Sequence, residues 1–184
     1  MVLKNNGLIK RLDEHVINQI AAGEVVERPA SVLKELLENS IDAGARNIHV
    51  VIAAAGVKLI KVSDDGCGMG LEELPLALAR HATSKLRDFD ELFEIGTLGF
   101  RGEALPSIGA VAKLSLSSRV AGEPHGWRIE CRAGSVVEAQ PQSITTGTVV
   151  EVQDLFFNLP ARRKFLRSER TERFHIGRVF HQLV

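Results

Sequence analysis

Two runs rich in β-branched residues, Asn47 to Ala53 and Val57 to Ser63, are separated only by Ala54-Ala55-Gly56. So short a connection can reverse a strand, but a parallel return needs a crossover of a dozen or more residues. The two runs are therefore expected to pair antiparallel. Just upstream, on a wheel of 100° per residue, Val32, Leu33, Leu36, Leu37 and Ile41 fall in one half and Glu35, Glu38, Asn39 and Asp42 in the other. Arg28-Pro29 suits the opening turn of this helix and Gly44 its end, which predicts a helix from Pro29 to Ala43.

Further helices are expected at Leu71 to His81 and Glu103 to Val111, and strands at Lys113 to Ser118, Gly126 to Arg132, Ser135 to Ala139 and Thr148 to Val152. Hairpins interspersed with helices point to an α+β fold, a two-layer sandwich of mixed, mainly antiparallel sheet packed against helices, rather than a doubly wound sheet. At 184 residues and 45% hydrophobic, the chain suffices for one sizeable domain, residues 1–184. A last helix-like spacing from Thr171 to Val184 stops without glycine or proline, which predicts a fragment of a longer protein.

Twenty-three basic residues balance twenty-three acidic ones, so no global field draws the chain to nucleic acid or an anionic membrane. The one local basic cluster is Ala161 to Arg167, followed by Arg170 and Arg173 and diluted by Glu169 and Glu172; it reads as a solvated helix or as a weak nucleic-acid contact. No apolar stretch is long enough to span a bilayer, and MVLKNNGLIKRL lacks the apolar core of a signal peptide. Cys67 and Cys131 match neither a zinc spacing nor a disulfide framework. A cytoplasmic protein without membrane association is the expectation.

Glu35 and Asn39 lie one helical turn apart and can reach a single point, with Asp42 continuing the stripe. Such a face is either solvated or one wall of a site. Asp64 stands at a strand end followed by Gly66, Gly68 and Gly70, a sequence that reads as a turn or as a carboxylate facing a flat ligand with an exocyclic amine. The common nucleotide and metal motifs fail: no Gly-Lys pair supports a Walker loop, Leu71 stands where a dinucleotide fingerprint needs its third glycine, and Cys67 and Met69 occupy positions where a calcium loop needs oxygen. A second array, Gly96, Gly99 and Gly102, precedes a helix, where unpaired N–H groups and the positive dipole end suit phosphate. Arg101 and the upstream His81 to Lys85 add charge and hydroxyls, and the whole stretch from Gly66 to Gly102 is long for a plain connection.

ELLENSIDAGA, DDGCGMG, HATSK, GTLGFRGEAL and GTVVEVQDLFFNLPARRKF, in that order, resemble the ATP-binding region of the MutL family of DNA mismatch repair proteins, and INQIAAGEVVERPASVLKELLENS matches as closely. The resemblance covers nearly the whole chain. It implies the ATP fold shared by gyrases, ninety-kilodalton chaperones and sensor histidine kinases, with a long glycine-rich lid. GFRGEAL and LPARRKF are far more specific to MutL than the first two motifs.

Carried over by position, the resemblance implies Glu35 as general base, Asn39 as Mg2+ ligand, and Asp64 as reader of the adenine amine, with Gly68 and Thr148 beside the base and Asp42 and Ala43 lining the pocket. Thr83, Ser84 and Lys85, with Gly99, Phe100, Arg101 and Gly102, match the lid over the phosphates. It further implies ATP and Mg2+ as cofactors and ATP-driven homodimerisation of the full-length protein, with Val16 to Arg28 as a lid or dimer segment or a simple buried helix. Implied partners are a mismatch-recognition protein, a downstream repair nuclease or helicase, and DNA bound weakly without sequence preference. In the family a lysine from a following subdomain completes the γ-phosphate site. That subdomain and a C-terminal dimerisation domain are expected to lie beyond Val184, so the chain alone is expected to hydrolyse ATP weakly or not at all.

Overall fold

The computed structural model describes residues 13, 17, 20, 22, 23, 25–80, 82 and 102–183. Helix α1 (Pro29–Asp42) starts after an extended Arg28, with proline in the opening turn, and ends ahead of Gly44 at φ 72°. Strands β1 (Ile48–Ala53) and β2 (Leu59–Asp64) form the expected hairpin around a 3-10 turn, Ala54–Gly56. There follow α2 (Glu73–Ala77), α3 (Ala104–Val111), β3 (Lys113–Arg119), β4 (Gly126–Arg132), β5 (Ser135–Gln142), β6 (Gly147–Gln153), α4 (Pro160–Phe165) and α5 (Glu169–Leu183).

The strands form one sheet in the order β1-β2-β6-β3-β4-β5, and every pairing among the described residues is antiparallel. The fold is thus the expected α+β two-layer sandwich. The last strand in sequence, β6, is inserted at the centre between β2 and β3, so the sheet closes only when a distant segment joins the β1-β2 hairpin to the β3-β4-β5 meander.

Side chains alternate across a strand, and the register groups the helix-facing ones into rows. One row is Ile52, Ile60, Val152, Leu114 and Cys131, and the next is Val50, Val62, Val150, Leu116 and Ile129. These rows, the apolar stripe Val32, Leu33, Leu36 and Leu37 of α1, and Ile108 and Val111 of α3 make the core. The third row, at the end of the sheet, is Ile48, Asp64, Thr148, Ser118 and Trp127. The core face therefore turns polar at its centre within one pleat.

Three expectations need correction. Ile41, placed on the apolar half of α1, is 38% exposed, whereas Glu38 of the polar half is buried and paired with Lys34 at 2.8 Å. The helix expected from Leu71 to His81 is found as Glu73–Ala77, with Leu78 N–H already bonded at short range to the Pro75 carbonyl. Strand β5 runs past Ala139 to Gln142, because an edge strand tolerates Pro141. The basic run is folded in part as α4, with Pro160 in its first turn and no residue buried, in keeping with the solvated-helix reading.

Between β6 and α4 the chain makes a strap, Asp154 to Leu159, across the end of the sheet away from the polar row. Asp154 and Phe156 both have positive φ, at 50° and 61°. Phe156 is fully buried, and its N–H bonds the Val111 carbonyl at 2.8 Å. Asp154 bonds Lys113 at 2.7 Å and Lys58 at 2.9 Å, and these two ammonium groups hold its carboxyl down at about 2. A group whose folded pKa is depressed stabilises the fold above its unfolded pKa and loses that contribution as pH falls toward the folded value. Asn tolerates the left-handed conformation, so Asp154→Asn removes charge without new strain. We expect it to cost about 1 kcal/mol or less at pH 7, since the pairs are solvent-screened. Urea denaturation from pH 5 to pH 2 should then show a shallower acid loss in the variant than in wild type.

Candidate functional site

Two consecutive aspartates at the end of β2 have different work. Asp65 Oδ1 accepts the N–H groups of Arg46 and Asn47 at 2.8 Å each, and its Oδ2 accepts Asn47 Nδ2, also at 2.8 Å. These bonds, led by those from Asn47, lower its pKa to about 2 and clasp the loop between α1 and β1. Asp64, one residue earlier, faces the helices instead. Its Oδ2 accepts the Ser40 hydroxyl from α1 at 2.9 Å, and its Oδ1 accepts Gly66 N–H at 3.0 Å. The Ser40 hydroxyl also has the Leu36 carbonyl at 3.2 Å.

Ser40 thus fixes the distance between α1 and the strand end. On α1, Glu35, Asn39 and Asp42 are half-buried on the side that continues toward Ser40 and Ala43. The Ala43 carbonyl accepts Cys67 N–H at 3.0 Å, and a Cβ on Gly66 would stand 2.7 Å from Ala43 Cβ. The helix end and the glycine loop are therefore in direct contact, which only glycine at position 66 allows.

Two further glycines meet backbone. Gly68 has φ 74°, and a Cβ there would collide with the Arg119 carbonyl; Gly147 has φ 118°, and a Cβ there would collide with the Asp64 carbonyl. Both the conformation and the space exclude a side chain. Gly147 brings Thr148 opposite Asp64 in the β2–β6 register. Ser118, opposite Thr148 from β3, lies 2.9 Å from its hydroxyl, donates to the Gly147 carbonyl at 2.9 Å and accepts Met69 N–H at 2.8 Å.

Of the residues expected from the sequence, Glu35, Asn39, Asp42, Ala43, Asp64, Gly68 and Thr148 are supplied by α1, the end of β2, the loop after it and the start of β6. Gly102 directly precedes Glu103 and α3. Thr83, Ser84, Lys85, Gly99, Phe100 and Arg101 lie outside the described residues. Sequence reasoning missed Ser40 and Ser118. Ser40 had a usable cue, since it follows Asn39 on the helix that faces Asp64, whereas Ser118 needs the strand register.

Among the described residues, no three His, Cys, Asp or Glu side chains gather as a metal site. The Asn39 side-chain oxygen on α1 suits a hard cation that keeps water and phosphate oxygens as its other ligands. An open cleft of about 540 Å³ also touches Asp64 and Thr148. His49, Ser63 and Val149, which line it, share the register row on the opposite sheet face, so this cleft opens away from α1. No described helix is long and apolar enough to cross a membrane.

The family model of histidine kinase-, DNA gyrase B- and HSP90-like ATPases matches residues 27–156. The DNA mismatch repair protein MutL of Azotobacter vinelandii is 58% identical over 177 residues, 95% of this chain and 28% of that protein. MutL of Pseudomonas syringae is 54% identical over 97% of this chain and 28% of its own length. The chain thus spans less than a third of these relatives. Among solved structures, the Aquifex aeolicus MutL ATPase domain complexed with ADP superposes with a TM-score of 0.64 at 37% identity, covering 85% of this chain and 54% of that one. The N-terminal domain of a DNA repair protein superposes with a TM-score of 0.71 at 31% identity, over 89% and 46%. Match, identity and superposition agree that the chain belongs to the histidine kinase-, DNA gyrase B- and HSP90-like ATPase family, as a MutL-type ATPase domain.

Proposed function

We propose that this chain is the ATP-binding and ATP-hydrolysing unit of a DNA mismatch-repair switch, with Asp64 as the residue that recognises adenine. The observation that carries the reading is the polar row Asp64–Thr148–Ser118 that ends the apolar core opposite α1. It places a carboxylate and a hydroxyl beside backbone that Gly68 and Gly147 allow to pack closely against Arg119 and Asp64. The likeness to a MutL ATPase domain complexed with ADP supports the same ligand class.

In this reading Asp64 accepts the exocyclic amine. Its two existing bonds, from Ser40 and Gly66, fix both oxygens while leaving lone pairs for a third donor. Gly68 and Thr148 flank the base, and Asp42 and Ala43 close the wall at the helix end. Phosphoryl transfer to water asks a protein mainly for positioning and charge neutralisation. Glu35 orients and deprotonates the attacking water. Asn39, one turn on, would hold Mg2+, which when bound neutralises phosphate charge. Thr83, Ser84, Lys85 and the segment Gly99 to Gly102 would wrap the phosphates, with the start of α3 offering its unpaired N–H groups.

For the full-length protein we propose ATP-driven homodimerisation, with a mismatch-recognition protein upstream, a repair nuclease or helicase downstream, and weak nonspecific DNA binding. A cytoplasmic location fits these partners. The rival reading, a plain DNA-binding module built on the basic run, loses weight from Arg162. Its guanidinium donates to the Gly23 carbonyl and lies 5.5 Å from the Phe156 ring centroid, so it is engaged within the protein.

Two variants test the proposal. Asp64→Asn keeps the size of the side chain but replaces a charged acceptor, a difference of about 1.5–3 kcal/mol, so calorimetric ADP affinity should fall about 10- to 100-fold. Equal binding by wild type and variant would remove the adenine role. Glu35→Ala should leave ADP affinity within about threefold of wild type, since a group acting on water adds transition-state rather than ground-state stabilisation. In the full-length protein, phosphate release should fall to background in the same variant, and turnover that survives would rule Glu35 out as the base.

A further inference from the structure

The strap closes the end of the sheet away from the polar row, and one side chain from α4 reaches back from it to the N-terminal segment. The Arg162 guanidinium donates to the Gly23 carbonyl and lies 5.5 Å from the ring centroid of Phe156. Phe156 is a rigid platform, since it is fully buried in a left-handed conformation and its N–H bonds the Val111 carbonyl at 2.8 Å. The guanidinium thus joins the segment to the strap by a charge-assisted hydrogen bond and a cation–π contact.

Gly23 is shaped for this contact. Ala22, Gly23 and Val25 are helical, and Val26 N–H bonds the Ala22 carbonyl at 2.8 Å. Glycine is a poor residue inside a helix and alanine the best, so a helical glycine calls for a reason. Here a Cβ would run into Arg162 Nη1 and stand 3.1 Å from its Cζ and 3.3 Å from its Nη2, and these three atoms are its nearest neighbours. The guanidinium fills the space that a side chain would take.

Other contacts hold these two pieces only lightly. Of the described residues in the segment, Ala22 and Val26 are buried in the core and Val25 packs against it, whereas Ile17 and Ile20 are exposed. Helix α4 buries no residue, and Phe165 at its end is exposed as well. Segments with few buried apolar contacts open locally more readily than the core beneath them.

We propose that Arg162 is a latch that makes the docking of the N-terminal segment and the seating of α4 one two-state event. With the guanidinium in place, residues 22–26 lie against the strap and α4 is seated; with it displaced, both loosen together. Helix α1, which carries Glu35 and Asn39, starts at Pro29 just after the segment, and α5 starts at Glu169 just after α4. Capture of the segment by a partner is therefore felt at α4 and α5, and by reciprocity a shift of α4 is felt at the segment. The latch sits at the end of the sheet away from Asp64, so it operates whether or not Asp64 reads adenine.

Amide hydrogen exchange on the 184-residue chain tests the latch. Val26 reports the segment, Arg163, whose N–H bonds the Leu159 carbonyl at 3.0 Å, reports α4, and Val62 and Val150 in the middle of the sheet report global opening. Arg162→Ala should lower protection at Val26 and Arg163 about tenfold, the loss of one charge-assisted bond, and leave Val62 and Val150 unchanged. Gly23→Ala, a change confined to the segment, should lower protection at Arg163 as well as at Val26. In an Arg162→Ala background the same Gly23→Ala should instead raise protection at Val26 about fivefold, because the collision is gone and the helix preference of alanine remains. Should Arg162→Ala not fold, Arg162→Lys keeps the charge without the planar fork and should lower both reporters by a smaller factor. An unchanged Arg163 in Gly23→Ala, a loss of protection shared equally by Val62 and Val150, or the same sign for Gly23→Ala in both backgrounds would each overturn the proposal.

Discussion

Asp64 carries the hydrogen bond on which the site's shape depends. With Oδ2 accepting from Ser40 on α1 and Oδ1 accepting from Gly66 N–H, this one carboxylate joins the helical layer, the end of the sheet and the glycine loop. It can do so because Asp65 takes over the neighbouring loop, collecting three donors from Arg46 and Asn47. The Asp-Asp-Gly sequence thus serves both the loop between α1 and β1 and the junction of α1, the sheet and the glycine loop, each aspartate filling one role.

The site is an extension of the core rather than an addition to it. Two apolar rows cross the sheet, and the third row along the same face becomes Asp64, Thr148 and Ser118 at the point where α1 ends. The same pleat that buries Ile60 and Val62 aims Asp64, so the precision of the site comes from the packing beneath it. Elements that close the sheet therefore also hold the site. Strand β6, central in the sheet, brings Thr148, and the strap after it is fixed at the far end by Asp154, Phe156 and Asn158, whose amide bonds the Ala110 carbonyl at 2.9 Å.

Much of this was legible in the sequence where a single element carries the information. The three-residue link between β1 and β2 implied antiparallel pairing, and the wheel of α1 separated Leu33 and Leu36 from Glu35 and Asn39. Information that depends on which strands become neighbours was not legible. Ser118 looks like any serine in LSLSSR until β6 is placed beside β3, and no local pattern announces that a strand from residue 147 enters between two others. Glu38 misled for the same reason: its wheel position is polar, but tertiary packing buries it and leaves Lys34 to pair it. The family resemblance supplied roles for residues that spacing alone left open, such as Asn39.

The central claim is that nucleotide binds between α1 and the polar row, and not in the open cleft on the other sheet face. Backbone amide NMR during an ADP titration tests it most directly. The account predicts that the largest shifts fall on Gly66, Gly68, Met69 and Thr148, with those of His49 and Ser63 small. Shifts centred on Arg46, His49 and Ser63, with the Gly66 to Met69 amides unmoved, would contradict it.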